Sequence, residues 1–509
     1  MTLPAFWSDV QALIGRGFIN RRHSAHILTT LNDIGAAREW FSENSSTRTI
    51  KLASTLDVDG KKGDKGNYGE PFFQVAFTPN GLREFGAPDV VMNQFPDPFL
   101  SGMAPEPAQG AEASRRTGIL GDIHDNHERH WDWGGRSSGI KWEDIHVLLM
   151  IFADDPDLVR EEQEKALRDC SLRLAGPEDV AVTKTRLFMT DEDNDRHPKE
   201  HFGYVDGVSQ PLIKGFPRVE TKKATKPEIY DLHAVEPGEF VLGVKNERQI
   251  TTPYPDIAKF GQNGSYLVLR QMEQDVPAFN RLVTDTARDM SQDTSRPAKE
   301  LAAAKLMGRW RDGWPLAPKH GPHPYPLEER NDQKFPNDFG FAERDAGGLT
   351  CPLGSHVRRV NPRDAREDPP ETALRLSKRH RILRRGRIYG DEPRNEDFDA
   401  GPAKKPSGLM FICLNADITQ QFEFIQHTWL NNRVFAGLSG EVDPITTGKV
   451  ADEAAFTIPV RPQAVKVQRN DALTTMKGGG IFLYARDQGA AHPDAGGLGP
   501  PAMMRFSSC

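Results

Sequence analysis

Cysteine is scarce: 509 residues hold four, at positions 170, 351, 413 and 509. None forms a Cys-x-x-Cys pair, so neither a disulfide framework nor a zinc ribbon is indicated, and the usage suits a reducing compartment. No apolar run reaches about 18 residues, which removes the simplest form of membrane span. The first residues, Met-Thr-Leu-Pro-Ala-Phe-Trp-Ser-Asp-Val, lack the basic-then-apolar pattern of a secretion signal. Arg21-Arg22 is followed by His23-Ser-Ala-His26, not by the apolar stretch of a twin-arginine signal. The cytoplasm is therefore the expected location. Charge of one sign is also lacking: 65 Lys+Arg against 72 Asp+Glu give a field too weak to gather nucleic acid. No internal repeat is visible.

A chain of this length exceeds what one core usually supports, so two or three domains and room for a buried cofactor are expected. Apolar runs at 72–77, 147–152, 240–244, 266–269, 409–414 and 481–484 read as strands, several with no solvated face. Residues 157–174 read as an amphipathic helix, as does the segment carrying Ile418, Phe422, Ile425 and Trp429 at steps of four, three and four. Strands and helices mix throughout, an α+β or α/β pattern. The Pro- and charge-rich stretch 214–237 reads as a connection and places a boundary near residue 225, giving halves 1–225 and 226–509. A long loop at 314–335, a polar insertion at 391–406 and an irregular tail after Ala485 complete the outline.

Two segments carry candidate chemistry. Phe202-Gly-Tyr-Val-Asp206-Gly-Val-Ser-Gln-Pro sets a carboxylate between glycines, which allow a tight turn and close approach to a flat ligand; taken alone, Asp-Gly is a common turn pair. His356 follows 150 residues later within Cys-Pro-Leu-Gly-Ser-His-Val-Arg-Arg-Val-Asn-Pro-Arg. An imidazole can ligate haem iron from one side while a carboxylate moves the protons of a peroxide on the other; a lone histidine is also commonly structural. Arg384 and Arg385 form either a solvated basic run or a buried partner for an anion.

Other clusters read more weakly. His124, His127 and His130 recur every third residue, a spacing that drifts round a helix and points to a solvated segment rather than a metal site. Asp191, Asp193 and Asp195 begin like a calcium loop, but Arg196 replaces its turn glycine and Phe202 its final Glu. Cys351 is read as packing rather than as a thiolate ligand. The absence of Cys-x-x-Cys-His argues against covalent haem, and Gly478-Gly-Gly480 lacks the residues of a phosphate loop.

In combination these segments resemble the dye-decolorizing peroxidase family over most of the chain. Gly203-Tyr-Val-Asp206-Gly matches its Gly-x-x-Asp-Gly signature. Residues 351–363 are similar to its proximal-histidine segment, 381–390 to its distal-arginine segment, and 408–417 with 421–429 to a further strand–helix block. Residues 9–17, 121–134 and the interdomain region look most like the larger, bacterial, signal-free branch. The resemblance implies an α+β fold of two ferredoxin-like domains with antiparallel sheets. One haem b per chain is then bound mainly by the C-terminal half, with His356 as axial ligand and Asp417 as acceptor for its other nitrogen. Asp206 serves as acid–base group and Arg384, favoured over Arg385 by its place after Ile382-Leu383, as the charge stabiliser. Leu409 and Phe411 either wall the distal pocket or pack the core.

The implied reaction reduces hydrogen peroxide and oxidises dyes, phenols or other aromatic reductants through a ferryl intermediate. Trp131, Trp133, Tyr389 and Trp429 are candidates for relaying electrons to the surface, or are packing residues. An aspartate carboxylate is ionised down to mild acid, so an acidic optimum is expected. The alternative on the same fold is a non-catalytic haem carrier or storage protein. No nucleic-acid or membrane partner is expected, and the sequence is compatible with an oligomer.

Overall fold

The computed structural model describes residues 4–46, 53, 70–104, 111–188, 198–317, 319, 336–366, 369–447, 455–460, 464–468 and 472–485. The aspartates at 191, 193 and 195, most of 314–335, the tail after Ala485 and Cys509 lie outside them.

Eight strands form the frame. In the first half they are β1 (His23–Leu31), β2 (Phe72–Phe77), β3 (Val147–Ala153) and β4 (Val182–Arg186). In the second they are β5 (Ser265–Gln274), β6 (Arg387–Tyr389), β7 (Gly408–Asn415) and β8 (Thr474–Tyr484). Helix α1 (Ile34–Ser46) joins β1 to β2, and α2 (Pro156–Asp169) lies between β3 and β4. In the second half, α3 (Val276–Ser291) and α4 (Arg296–Met307) follow β5, and a π-wound segment, Thr419–Glu423 and Ile425–Leu430, lies between β7 and β8. The strand order is β4-β1-β3-β2 in one half and β8-β5-β7-β6 in the other. Numbered within each half, both read 4-1-3-2, the ferredoxin-like order, with antiparallel neighbours. This is the repeat that the sequence no longer shows.

The halves close on one another. Strand 2 of each half sits beside strand 4 of the other: β2 meets β8 at Phe77–Leu483, and β6 meets β4 at Ile388–Arg186 and Tyr389–Thr185. Since β6 also pairs with β7, the eight strands make a closed barrel, which leaves no sheet edge at either junction. Strand alternation divides the core. Leu28, Met150, Leu269, Ile412 and Phe482 fill the interior, while Ile27, Leu149, Val268 and Leu483 pack beneath the helices.

The first seam has few strand bonds and is stitched by the segment before β1. Gln11 Nε2 donates to the carbonyls of Val75 and Ala485, and its Oε1 accepts from Val75 N at 2.9 Å. Leu13 N donates to the side chains of Gln74 and Tyr484. At the second seam Arg387 donates to the carbonyls of Gly17, Phe18 and Arg21.

Helix boundaries follow local chemistry. Asp155 caps α2 by accepting from Asp157 N, Pro156 opens it, and Val159, Gln163 and Ala166 form its buried stripe. The sequence pattern runs the helix to residue 174. Ser171, at φ +50°, ends it, and Leu172–Leu174 pairs with β1 instead. Residues 240–244 are not a strand: Phe240 and Val241 donate to Pro237 O and Gly243 adopts φ +79°, making a buried apolar turn. The stretch 214–237 is mostly ordered as helices Pro217–Thr225 and Pro227–His233, so position 225 falls at a helix end. Among the described residues no helix is long and apolar enough to cross a membrane.

His26 lies inside the barrel, edge-on to Phe152. Burial, with Arg387 adding, pushes its ring down to about 3 from the ordinary 6.5. Because the folded value is the lower one, the neutral ring's contribution is present above pH 6.5 and lost as pH falls toward 3. The loss is expected to reach roughly 3 kcal/mol by pH 4. His26→Phe should flatten the fall of melting temperature between pH 7 and pH 4, measured by thermal unfolding; an unchanged slope would remove His26 from the acid response.

Candidate active site

Asp206 and Arg384 come from opposite halves and meet. A short bridge between Lys199 and Val205 closes the loop before Asp206, with a turn at Gly203 (φ +91°) inside it and another at Gly207 (φ +80°) just past Asp206. A Cβ on Gly203 would lie 2.8 Å from the Arg311 guanidinium, so both conformation and space require glycine. Asp206 Oδ1 is 3.4 Å from Arg384 Nη1, with 31% and 35% of the side chains exposed. A contact this long leaves both groups able to engage a further partner.

The same loop fixes the strand beside it. Gln210 Oε1 accepts from Arg384 N at 3.1 Å, and Ser209 O accepts from Arg381 Nη2 at 3.2 Å. The next side chain points away: Arg385 donates to the carbonyls of Leu13 and Ile14 at 2.6 and 2.9 Å. Arg384 is thus the arginine beside Asp206. Arg384 pairs in register with Cys413, so it shares a sheet face with Phe411 and Leu409 on β7. Those two are half-buried, whereas the alternating Met410 and Ile412 point into the barrel.

His356 opens a short helix, His356–Val360. Its Nδ1 is 2.8 Å from Asp443 Oδ2, and the Asp443 side chain is wholly buried. The other oxygen, Oδ1, accepts from Ile445 N, Thr446 N and the Thr446 hydroxyl at 2.7–2.9 Å. Burial alone would raise the Asp443 carboxyl; the His356 charge and hydrogen bond, Thr446 N–H and Arg359 outweigh it and hold the group well below the carboxylate range. With Nδ1 engaged, Nε2 is the nitrogen available to a metal.

Asp417 does not reach His356. Its Oδ1 accepts from Gln420 N at 2.9 Å and its N–H donates to Gln421 Oε1, so it caps the helical segment that follows. Asp443 was not singled out in the sequence. Its Asp-Pro-Ile-Thr setting signals a turn in which Asp and Thr satisfy local backbone, and nothing in that signal points 87 residues back to a histidine.

Close to Arg384 lies a cluster of buried cations. Arg309, Arg363 and Arg381 donate mainly to carbonyls, among them Gly313, Phe339 and Ser209. Burial lowers all three, and neighbouring arginines lower them further: Arg384 acts on Arg309 and Arg381, and Arg309 on Arg363. Arg363 Nε is buried with no hydrogen-bond partner among the described residues. The cluster suits an anionic group.

The weaker candidates separate. His124–Asn126 and Glu128–His130 are two short turns broken at the extended His127, and among the described residues no group of three or more His, Cys, Asp or Glu could hold a metal ion. Cys351 is buried 3.1 Å from Ser355 Oγ, and burial pushes its thiol up, as expected of a packing residue. Trp131, Trp133, Tyr389 and Trp429 are all buried, so none is itself a surface terminus; Trp429 stands edge-on to His380, which stacks on Phe424.

Comparison with known proteins shows the family. A multifunctional dye peroxidase of Amycolatopsis sp. is 32% identical over 364 residues, 67% of this chain and 69% of its own. The chain belongs to the dye-decolorizing peroxidase family. No family model matches it. Dye-decolorizing peroxidase msp1 of Mycetinis scorodonius is 28% identical over 422 residues, 81% of this chain and 72% of its own. The fold is that of a DyP-type peroxidase of Anabaena sp., with TM-score 0.72 and 24% identity over 94% of this chain and 93% of that one. Membership makes this protein a haem-dependent peroxidase and gives no support to the carrier alternative. The residues present fit haem: an imidazole with one nitrogen oriented by a buried carboxylate, a carboxylate–guanidinium pair from the two halves, and buried arginines bonded mainly to carbonyls that could meet propionates.

Orienting carboxylates commonly contribute 10- to 100-fold to metal affinity. Asp443→Asn is therefore expected to speed transfer of haem to apomyoglobin by about 10-fold or more. Asp417→Asn should leave that rate unchanged; equal rates in the two variants would remove Asp443 from ligand orientation.

Proposed function

We propose that this peroxidase binds one haem b per chain through His356 Nε2, reduces hydrogen peroxide, and oxidises dyes, phenols or related aromatic reductants. When bound, haem supplies the iron centre at which peroxide is cleaved and oxidising equivalents are held. The 1–225 half contributes Asp206 and the 226–509 half His356 and Arg384. Asp206 takes the proton from one peroxide oxygen and returns it to the other, so the leaving oxygen departs as water. The Arg384 guanidinium donates to negative charge that develops as the oxygen–oxygen bond breaks. Asp443 holds the imidazole of His356 in one orientation. Leu409 and Phe411, on the face of Arg384, limit the space and water around the reacting oxygens. The approach of Asp206 to Arg384 across the two halves carries this reading.

Substrates larger than peroxide are oxidised away from this pocket in the proposal, with Trp429, the indole of the His380–Phe424 cluster, the preferred internal step among the four buried aromatics. Cytoplasmic residence and assignment to the larger bacterial branch rest on the sequence features described first.

The test is stopped-flow mixing of haem-loaded protein with hydrogen peroxide, following the Soret band. Asp206→Asn is expected to retain haem and slow the spectral change by 10²- to 10⁴-fold, and His356→Ala to lose haem. Unchanged rates in Asp206→Asn would move the proton transfer to another group. Arg384→Leu should slow the same step by about 10²-fold or more. Arg385→Leu, which breaks contacts to Leu13 and Ile14 instead, should lower the melting temperature while leaving the rate per bound haem within about twofold, a split that steady heating and the same stopped-flow trace resolve.

A further inference from the structure

We propose that Glu200 is a positioning residue for Asp206, its carboxylate clamping the turn that presents Asp206 and tying that turn to the second half of the barrel. The inference rests on the reading of Asp206 as the acid–base group. Glu200 Oε1 accepts from Tyr204 N at 2.8 Å, and Oε2 from Phe202 N at 3.1 Å. Oε2 also accepts from Nε2 of Gln274, the last residue of β5. One side chain thus holds two backbone amides of its own loop and a side chain of the opposite half.

The turn leaves little alternative support for those amides. The Glu200 main chain contributes its own pair, Glu200 N to Tyr204 O at 3.0 Å and Gly203 N to Glu200 O at 2.8 Å. Gly203 in between has φ +91°, so the loop reverses sharply around the carboxylate. Phe202 is locked by stacking on Phe279 of α3, with ring centroids 4.5 Å apart, and Tyr204 by its hydroxyl on Ala303 O of α4. Asp206 follows two residues later, its N–H donating to Pro198 O at 2.9 Å. Clamping at 202 and 204 therefore fixes the stem from which Asp206 reaches Arg384, and an error of about 1 Å in such placement is enough to slow catalysis strongly.

The carboxylate is held there at an energetic disadvantage. Burial pushes Glu200 up to about 7, against the pull of Gln274 and the two amides, and the charge of Asp206 raises it further. A purely local turn would not need a buried carboxyl group near a second one; a turn that must be rigid and registered on β5 has a use for one, because either protonation state still offers acceptor oxygens to the amides.

Two measurements on Glu200→Gln test this. Hydrogen–deuterium exchange of the apo chain should show the peptide spanning 198–207 exchanging at least 10-fold faster than in the parent, with β1 and β5 unchanged; equal protection overturns the clamp. Stopped-flow with hydrogen peroxide on haem-loaded protein should show the Soret change slowed at least 10-fold per bound haem, with the subsequent return on adding a dye within twofold. The same substitution in an Asp206→Asn background should change the peroxide step less than twofold. A full effect in that background overturns the positioning role, whereas a fast Asp206→Asn parent overturns the acid–base reading and leaves exchange to decide the clamp. Should Glu200→Gln fail to fold, Gln274→Leu removes one contact of the same carboxylate and is expected to move both readouts in the same direction; no movement in either overturns the proposal.

Discussion

The site depends on holding two halves of the chain in one fixed relation. Asp206 belongs to the first ferredoxin-like unit and Arg384 and His356 to the second, so no single unit contains the proposed acid–base group and the proposed ligand together. Barrel closure supplies the constraint. Strand β6 pairs with β7 of its own unit and β4 of the other, and it begins three residues after Arg384. The backbone next to Arg384 is thereby anchored by both units. At the opposite seam, where β2 and β8 share one strand pair, Gln11 provides the hydrogen bonds that a longer ladder would have given. Such geometry is needed because proton transfer and charge stabilisation require placement to fractions of an ångström.

Electrostatics around the site follow an unusual division. The carboxylates are satisfied locally: Asp443 by Thr446 and His356, Glu200 by two amides and Gln274. The buried arginines Arg309, Arg363 and Arg381 draw mostly on carbonyl oxygens. Carbonyls stabilise a guanidinium without neutralising it. Positive charge is thus left in the interior near Arg384, which is what an anionic planar cofactor would require.

Much of this was legible in the sequence, for reasons that differ from residue to residue. The run 147–152 gave its strand because burial on both faces leaves no polar position, and 409–414 because its half-buried positions are apolar as well. Asp206, His356 and Arg384 stood out through motifs whose residue types suit peroxide chemistry, and the structure brings Asp206 and Arg384 together. The choice between Arg384 and Arg385 needed strand alternation and the location of Leu13 and Ile14, neither of which a motif encodes. Residues 240–244 misled because a short apolar run marks burial, not strand. Asp443 was invisible because a hydrogen bond across 87 residues leaves no periodic trace, and Asp417 reads like it because a helix cap and a histidine's acceptor use the same side chain. The matching strand orders of the two halves survive in topology alone.

Strand β8 is inserted between β2 and β5, although it ends at Tyr484 and β2 ends at Phe77. The first half therefore cannot complete its barrel neighbours until more than four hundred further residues have left the ribosome. At synthesis rates of about 5–20 residues per second, that is a wait of roughly twenty seconds to a minute and a half. Throughout it the edge of β2 is unpaired and the surfaces around Asp206 have no opposite wall. Barrel closure is consequently an event that waits for β8, and until then the β2 edge is a pairing surface exposed to other chains.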